Sequence, residues 1–129
     1  MKRVRSDRGT ISVEKSSGGH VLLYLNVTPR QSTETLRNWP AFRLDHVRDE
    51  SKDVHNHGHA SGLHFLGGAV GTCVTDDYMS RFKANHYREI ACFVQGHHAA
   101  SVLIAAALES RWKLALPVLE RAISAFRAR

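Results

Sequence analysis

The chain has 129 residues, a formal net charge of +6 and 43% hydrophobic residues. That length suits one domain, 1–129, able to bury a core without crosslinks. The longest apolar run, Val102 to Leu108, falls far short of the roughly 20 residues that cross a bilayer. No apolar segment follows the basic N-terminus as in a secretory signal, so the chain is expected to stay off the membrane, in the cytoplasm or in a particle assembled there.

Residues 1–9 read as a basic flexible arm ending at Gly9. Thr10 to Val13 alternates, Gly18-Gly19 offers a turn, and His20 to Val27 is rich in β-formers, which predicts an N-terminal β-hairpin. Thr28-Pro29-Arg30-Gln31 resembles a capping box, so a short helix is expected to run to about Asn38 and to stop at Trp39-Pro40. Ala41 to Val47 suits a short strand, Arg48 to Gly62 a polar surface loop, and Leu63 to Val74 a strand bent at its glycines. Thr75-Asp76-Asp77 offers a cap and two carboxylates at a helix start, and Tyr78, Phe82, His86, Ile90 and Phe93 recur at helical spacing up to Gly96.

His97 to Leu116 then predicts a central helix that is apolar on nearly every side. Pro117 interrupts it, and Val118 to Phe126 continues as an amphipathic helix. The expected fold class is therefore α+β, with an N-terminal β-hairpin and short helix followed by a C-terminal helical half around that central helix. An all-apolar helix in a small domain needs a second cover, so a homodimer is expected, with Val102, Leu103, Ile104 and Leu108 at its interface. The chain stops at Arg127-Ala128-Arg129 as if inside an element, which reads as a fragment of a longer chain extending beyond residue 129.

Positive charge collects at both ends. Lys2, Arg3, Arg5 and Arg8 mark one, and Arg111, Lys113, Arg121, Arg127 and Arg129 the other. Together they are the candidate contacts to single-stranded RNA, weak and non-specific because phosphate attraction carries no sequence information. Trp112, between Arg111 and Lys113, is the best-placed aromatic for stacking on a base.

His55, His57 and His59 at two-residue spacing, with His64 behind them, form the alternative site, where a metal ion would serve a small enzyme. Cys73 and Cys92 form no CxxC pair and read as reduced, buried thiols. Gly67, Gly68 and Gly71 match no phosphate-binding pattern, and no cofactor or catalytic residue is expected.

The size, the basic balance, the late apolar segment and the ending RAISAFRAR resemble the packaging and assembly protein in the polymerase complex of segmented double-stranded RNA bacteriophages, the cystoviruses. That resemblance implies a non-enzymatic viral core assembly and RNA-packaging factor, located in the virion core. Its implied partners are viral capsid and polymerase proteins and a second copy of itself. A host-directed inhibitor or adaptor, working through its helical surface, is the other non-enzymatic reading.

Overall fold

The computed structural model describes residues 2–7, 10–17, 20–82 and 85–127. Seven strands run in chain order: β1 (Lys2–Asp7), β2 (Thr10–Ser17), β3 (His20–Pro29), β4 (Ser51–Phe65), β5 (Ala69–Ser80), β6 (His86–Gln95) and β7 (Ala100–Leu108). Helix α1 (Trp39–Glu50) lies between β3 and β4, and helix α2 (Trp112–Ser124) follows β7 after one tight turn at Glu109–Arg111. The strands form one antiparallel sheet in the order β1-β2-β3-β7-β6-β5-β4. The chain crosses from β3 to the far edge through α1, returns as a four-strand meander, and closes the sheet by laying β7 beside β3.

The expected central helix is thus a central strand. A short apolar run looks the same whether it is a helix covered all round or a strand covered on both faces. Here the second applies. Val102 to Ala107 are all buried between two layers. On one face Val102 and Ile104 pack with Trp39 of α1, Val74, Ala91 and Phe93. On the other, Ala105 and Ala107 lie against Ala115 and Leu119 of α2. The small alanines let the helix approach the sheet closely, and each large buried apolar side chain contributes about 1.5–3 kcal/mol.

This also corrects the expected dimer interface. Val102, Leu103 and Ile104 face the monomer's own core, and Leu108 is half-buried at the end of β7. The argument for a seam on this segment falls with the helix that carried it.

The other expected helices move as well. The helical half is contradicted between 75 and 95, where β5 and β6 stand instead; their residues alternate between the two covered faces, and both faces take apolar side chains. Residues 30–38 form an irregular link in which buried Glu34 accepts hydrogen bonds from the backbone N–H groups of Gln31 (3.1 Å) and Ser32 (2.7 Å). Pro40, expected to stop a helix, begins one: it sits in the first turn of α1, where no intrahelical N–H is required. The strand expected at 41–47 is therefore helix α1. The indole N–H of Trp39 donates to the Ala91 carbonyl at 2.8 Å, fixing the start of α1 to β6.

The polar stretch expected to be a loop is most of β4, the edge strand. Its register against β5 slips three times, between Lys52 and His55, Asn56 and His59, and Ala60 and Leu63. Asp53, Gly58 and Gly62 have φ of 52°, 105° and 66°. Each slip is a bulge that inserts one extra residue and bends the edge away from straight pairing. The turn to β5 uses Gly67 and Gly68 with φ of 81° and 75°, the left-handed pair that a tight hairpin demands. At Gly71 a Cβ would meet the Phe65 ring at 2.3 Å, so that glycine is required by packing.

Cys73 and Cys92 face each other across β5 and β6 and are joined as a disulfide, which corrects the expectation of free thiols. Lys2–Asp7, expected within a flexible arm, is paired with β2 as an edge strand. Arg8 and Arg129 lie outside the described residues. No helix among the described residues is long and apolar enough to cross a membrane.

Placing Ile104 in the core predicts two outcomes. Ile104→Val should cost about 0.5–1.5 kcal/mol in denaturant unfolding. Ile104→Asp should abolish the folded circular dichroism signal, because an unpaired charge would be buried. A folded Ile104→Asp monomer would return this residue to an interface.

Candidate functional site

Consecutive residues of a strand point to opposite faces, so Asp76 and Asp77 of β5 serve two different polar clusters. Asp76 faces the α1 layer. Register aligns it there with Glu89 of β6, Ala106 of β7 and Tyr24 of β3. Glu89 is fully buried and accepts a bidentate pair from Arg43 of α1, at 2.7 and 2.9 Å. Burial, with Glu89 close by, pushes the Tyr24 hydroxyl up to about 12 and raises that of Tyr78 as well. Arg43 is held charged because the contact with Glu89 outweighs its own burial.

Asp76 is also fully buried. Its Oδ1 accepts from the Asn56 side chain at 2.8 Å, whereas Oδ2 has no hydrogen-bond partner. Burial first, and then the charge of Glu89, raise its pKa; Asn56, Arg43 and His57 oppose that only in part. A cavity of about 530 Å³ adjoins this cluster, lined by Tyr24, Arg43, Tyr78 and Arg81 among others.

Asp77 faces the α2 layer. Three imidazoles from two neighbouring strands converge on its carboxylate. His55 Nδ1 lies 3.2 Å from Oδ1, His86 Nε2 lies 2.8 Å from the same oxygen, and His57 Nε2 contacts Oδ2. Burial alone would raise the Asp77 pKa, but the contacts from His57, His86 and His55 hold it below the usual carboxylate value. Arg88, directly opposite Asp77 in the register, is held by Glu109 at 2.7 and 2.8 Å and lies 5.4 Å over the Trp112 ring. Trp112, the best-placed aromatic for base stacking, is thus engaged by Arg88.

Of the four histidines singled out in the sequence, the structure brings together His55 and His57 and adds His86. His59 stands opposite Val74 and His64 opposite Val70, positions of β5 that alternate with Asp77. The bulge at Gly58 puts His59 there; the one at Gly62 cancels it, so His64 lies there by plain alternation from His55. The contribution of His86 was hidden because it comes from a strand that read as helix. The rings are turned onto the carboxylate. Among the described residues, no group of three or more His, Cys, Asp and Glu side chains could hold a metal ion.

Farther along the same face α2 covers β7 and β3 but leaves β5 and β4 partly open. The result is a groove of about 580 Å³ lined by apolar Leu63, Phe65, Leu66, Cys73, Ile90 and Ile123, with His64, Glu120 and Ser124 also on its wall. Leu66 is half exposed at its rim, where it is bridged to the exposed Arg127 just beyond α2. The basic residues expected to touch RNA do not form one row: Lys2, Arg3 and Arg5 belong to edge strand β1, with β2 standing between it and β3, whereas Arg111, Lys113, Arg121 and Arg127 lie along α2 and its ends. His97 and His98 are exposed, and the disulfide removes Cys92 as a nucleophile.

No family model matches the chain, and no curated protein sequence matches it. Solved structures do. A protein of unknown function from Pseudomonas aeruginosa, proposed as a regulator, is similar with a TM-score of 0.70 and 9% identity, over 97% of this chain and 86% of that one. Cyanobacterial PsbP from Synechocystis is similar with a TM-score of 0.60 and 12% identity, over 96% of this chain and 84% of that one. At these identities the likeness is one of fold.

The raised pKa of Asp76 fixes the sign of a pH effect. A carboxyl that prefers its neutral form in the fold contributes stability that is fully present below its unfolded pKa and is lost as pH rises through the folded value. Thermal unfolding of Asp76→Asn beside the parent should therefore shift in favour of the variant as pH rises above the ordinary carboxylate value of about 4. A difference independent of pH would show that Asp76 is ionised in both states.

Proposed function

We propose that this protein is a non-enzymatic binding protein that takes an apolar segment of a protein partner into the groove beside α2. One observation carries the reading: the clustered reactive side chains, one oxygen of buried Asp76 apart, are engaged with one another while an apolar surface is left uncovered. Glu89 is closed by Arg43, Asp77 by three imidazoles, and the cysteines by each other. Phe65, Leu66, Cys73, Ile90 and Ile123, by contrast, line an open groove whose size falls in the range of ligand sites.

The surroundings specify the partner further. Arg127 is bridged to Leu66 at the rim and the whole chain carries +6, whereas Glu120 lines the groove itself, so an apolar anchor with its carboxylates at the Arg127 end, away from Glu120, is the complementary segment. The regulatory role proposed for the Pseudomonas protein of the same fold is compatible with a binding function. Assembly of a viral polymerase complex is a narrower form of this reading, with a capsid or polymerase protein as the partner.

Selection from a displayed library of short random peptides tests it. The selected peptides should share large apolar residues next to Asp or Glu. Ile123→Glu and Leu66→Glu should each weaken their binding by at least about tenfold, or ~1.4 kcal/mol. Leu114→Glu, at an exposed apolar residue that does not line the groove, should leave binding unchanged. No enrichment, or peptides indifferent to Leu66→Glu, would overturn the proposal.

A further inference from the structure

The groove on the α2 side of the sheet has a counterpart on the α1 side. We propose that the cavity of about 530 Å³ beside α1 is a second site, independent of the groove, that binds a small amphipathic monocarboxylic acid. Its volume lies in the range of small-molecule sites, about 300–1,000 Å³.

The lining grades from closed to open. Tyr24, Arg43 and Tyr78 form the inner wall, with buried Val47 beside them. Ser51 and Ser80, paired in the register, close the side where α1 runs into β4. His46, Glu50, Arg81 and Phe82 stand at the mouth. Phe82 is 99% exposed, a large apolar ring without cover at the edge of a cavity.

Most of the polar groups are already engaged. Arg43 uses Nε and Nη2 on Glu89, Tyr78 also bonds to Glu89, and His46 lies 3.3 Å from Glu50. Tyr24 and Arg81 stand apart. Among the described residues the Tyr24 hydroxyl makes no hydrogen bond, and Arg81 meets no carboxylate. The Arg81 Nη2 donates only to the carbonyl oxygens of Arg48 and Ser51, at 3.5 and 3.3 Å.

Charge then orients the ligand. Glu89 stands close to both phenols, and the field that keeps them protonated makes the inner wall unfavourable for an anion. A carboxylate therefore belongs at the mouth, where Arg81 supplies a charge-assisted hydrogen bond. Glu50, at the same mouth and 69% exposed, disfavours a second acidic group. The apolar body of the ligand runs along Val47 and the Phe82 ring. A neutral acceptor at its inner end takes the Tyr24 O–H.

Heteronuclear NMR of the full chain, titrated with phenylbutyrate and with its para-methoxy analogue, tests the site. Both acids should shift the amides of Val47 and of residues 80–82, with a Kd of about 1 mM or tighter. The methoxy compound, which carries the acceptor, should bind the more tightly. The neutral amide of phenylbutyrate should bind about tenfold more weakly, as should the acid to Arg81→Gln. Phe82→Ser, at a fully exposed position, should weaken both acids. Tyr24→Phe should abolish the advantage of the methoxy group and leave phenylbutyrate itself unchanged. Leu66→Glu, in the groove on the other face of the sheet, should bind both acids as the parent does, so this site stands or falls apart from the groove. The spectrum before titration establishes that each variant is folded. No shifts at these amides, an amide that binds as well as the acid, or unchanged binding by folded Arg81→Gln would overturn the site.

Discussion

Everything in this fold depends on one strand having to be hidden on both sides. β7 presents Val102 and Ile104 to one layer and Leu103, Ala105 and Ala107 to the other, all buried. A sheet with one open face could not accept it. The chain answers with one helix per face: α1 is spent in the crossover from β3 to β4, and α2 folds back after β7. Because the crossover must span the meander, α1 lies over β4, β5 and β6, while α2 stays over β7 and β3. That offset leaves the groove on the α2 side.

The polar interior follows from the same offset. α1 carries Arg43 over a part of β6 where Glu89 would otherwise be an isolated buried charge. Such pairs add little net stability relative to apolar replacements, but removing one partner is expensive, so they favour one docking of helix on sheet. Asp76 stands in the same row with one oxygen unmatched, whereas its neighbour Asp77 has more donors than it needs. Adjacent residues of one strand thus occupy opposite electrostatic conditions, and only the alternation of the strand separates them.

The sequence made some of this legible and concealed the rest for identifiable reasons. The β-forming character of residues 10–13 and 20–27 marks the strands β2 and β3. The amphipathic pattern from Val118 onward belongs to α2, which starts earlier, at Trp112, and runs through Pro117. β7 was unreadable by period, since a strand covered on both faces has none. β4 was concealed by its polarity and by Gly58 and Gly62, which look like loop residues and in fact mark bulges four residues apart. For the site, the spacing of His55 and His57 was informative. His59 misled because the bulge at Gly58 reverses its face, His64 stands at a position that alternates with His55, and His86 depended on a strand pairing that no local pattern announces.

The closing of the sheet by β7 also has a consequence for the order in which the molecule is made. Leu23 pairs with Ala107, near the far end of the chain. During synthesis β3 can pair with β2, and β4 to β6 can form their meander, but the two halves share no strand until the residues of β7 have emerged. Until then β3 and β6 each present an unsatisfied edge, and Val74, Ala91 and Phe93 lack part of their cover. Contacts so distant in sequence form late and slowly. The nascent chain therefore spends its longest exposed interval as two incomplete sheets, and the arrival of a single apolar segment converts them into one.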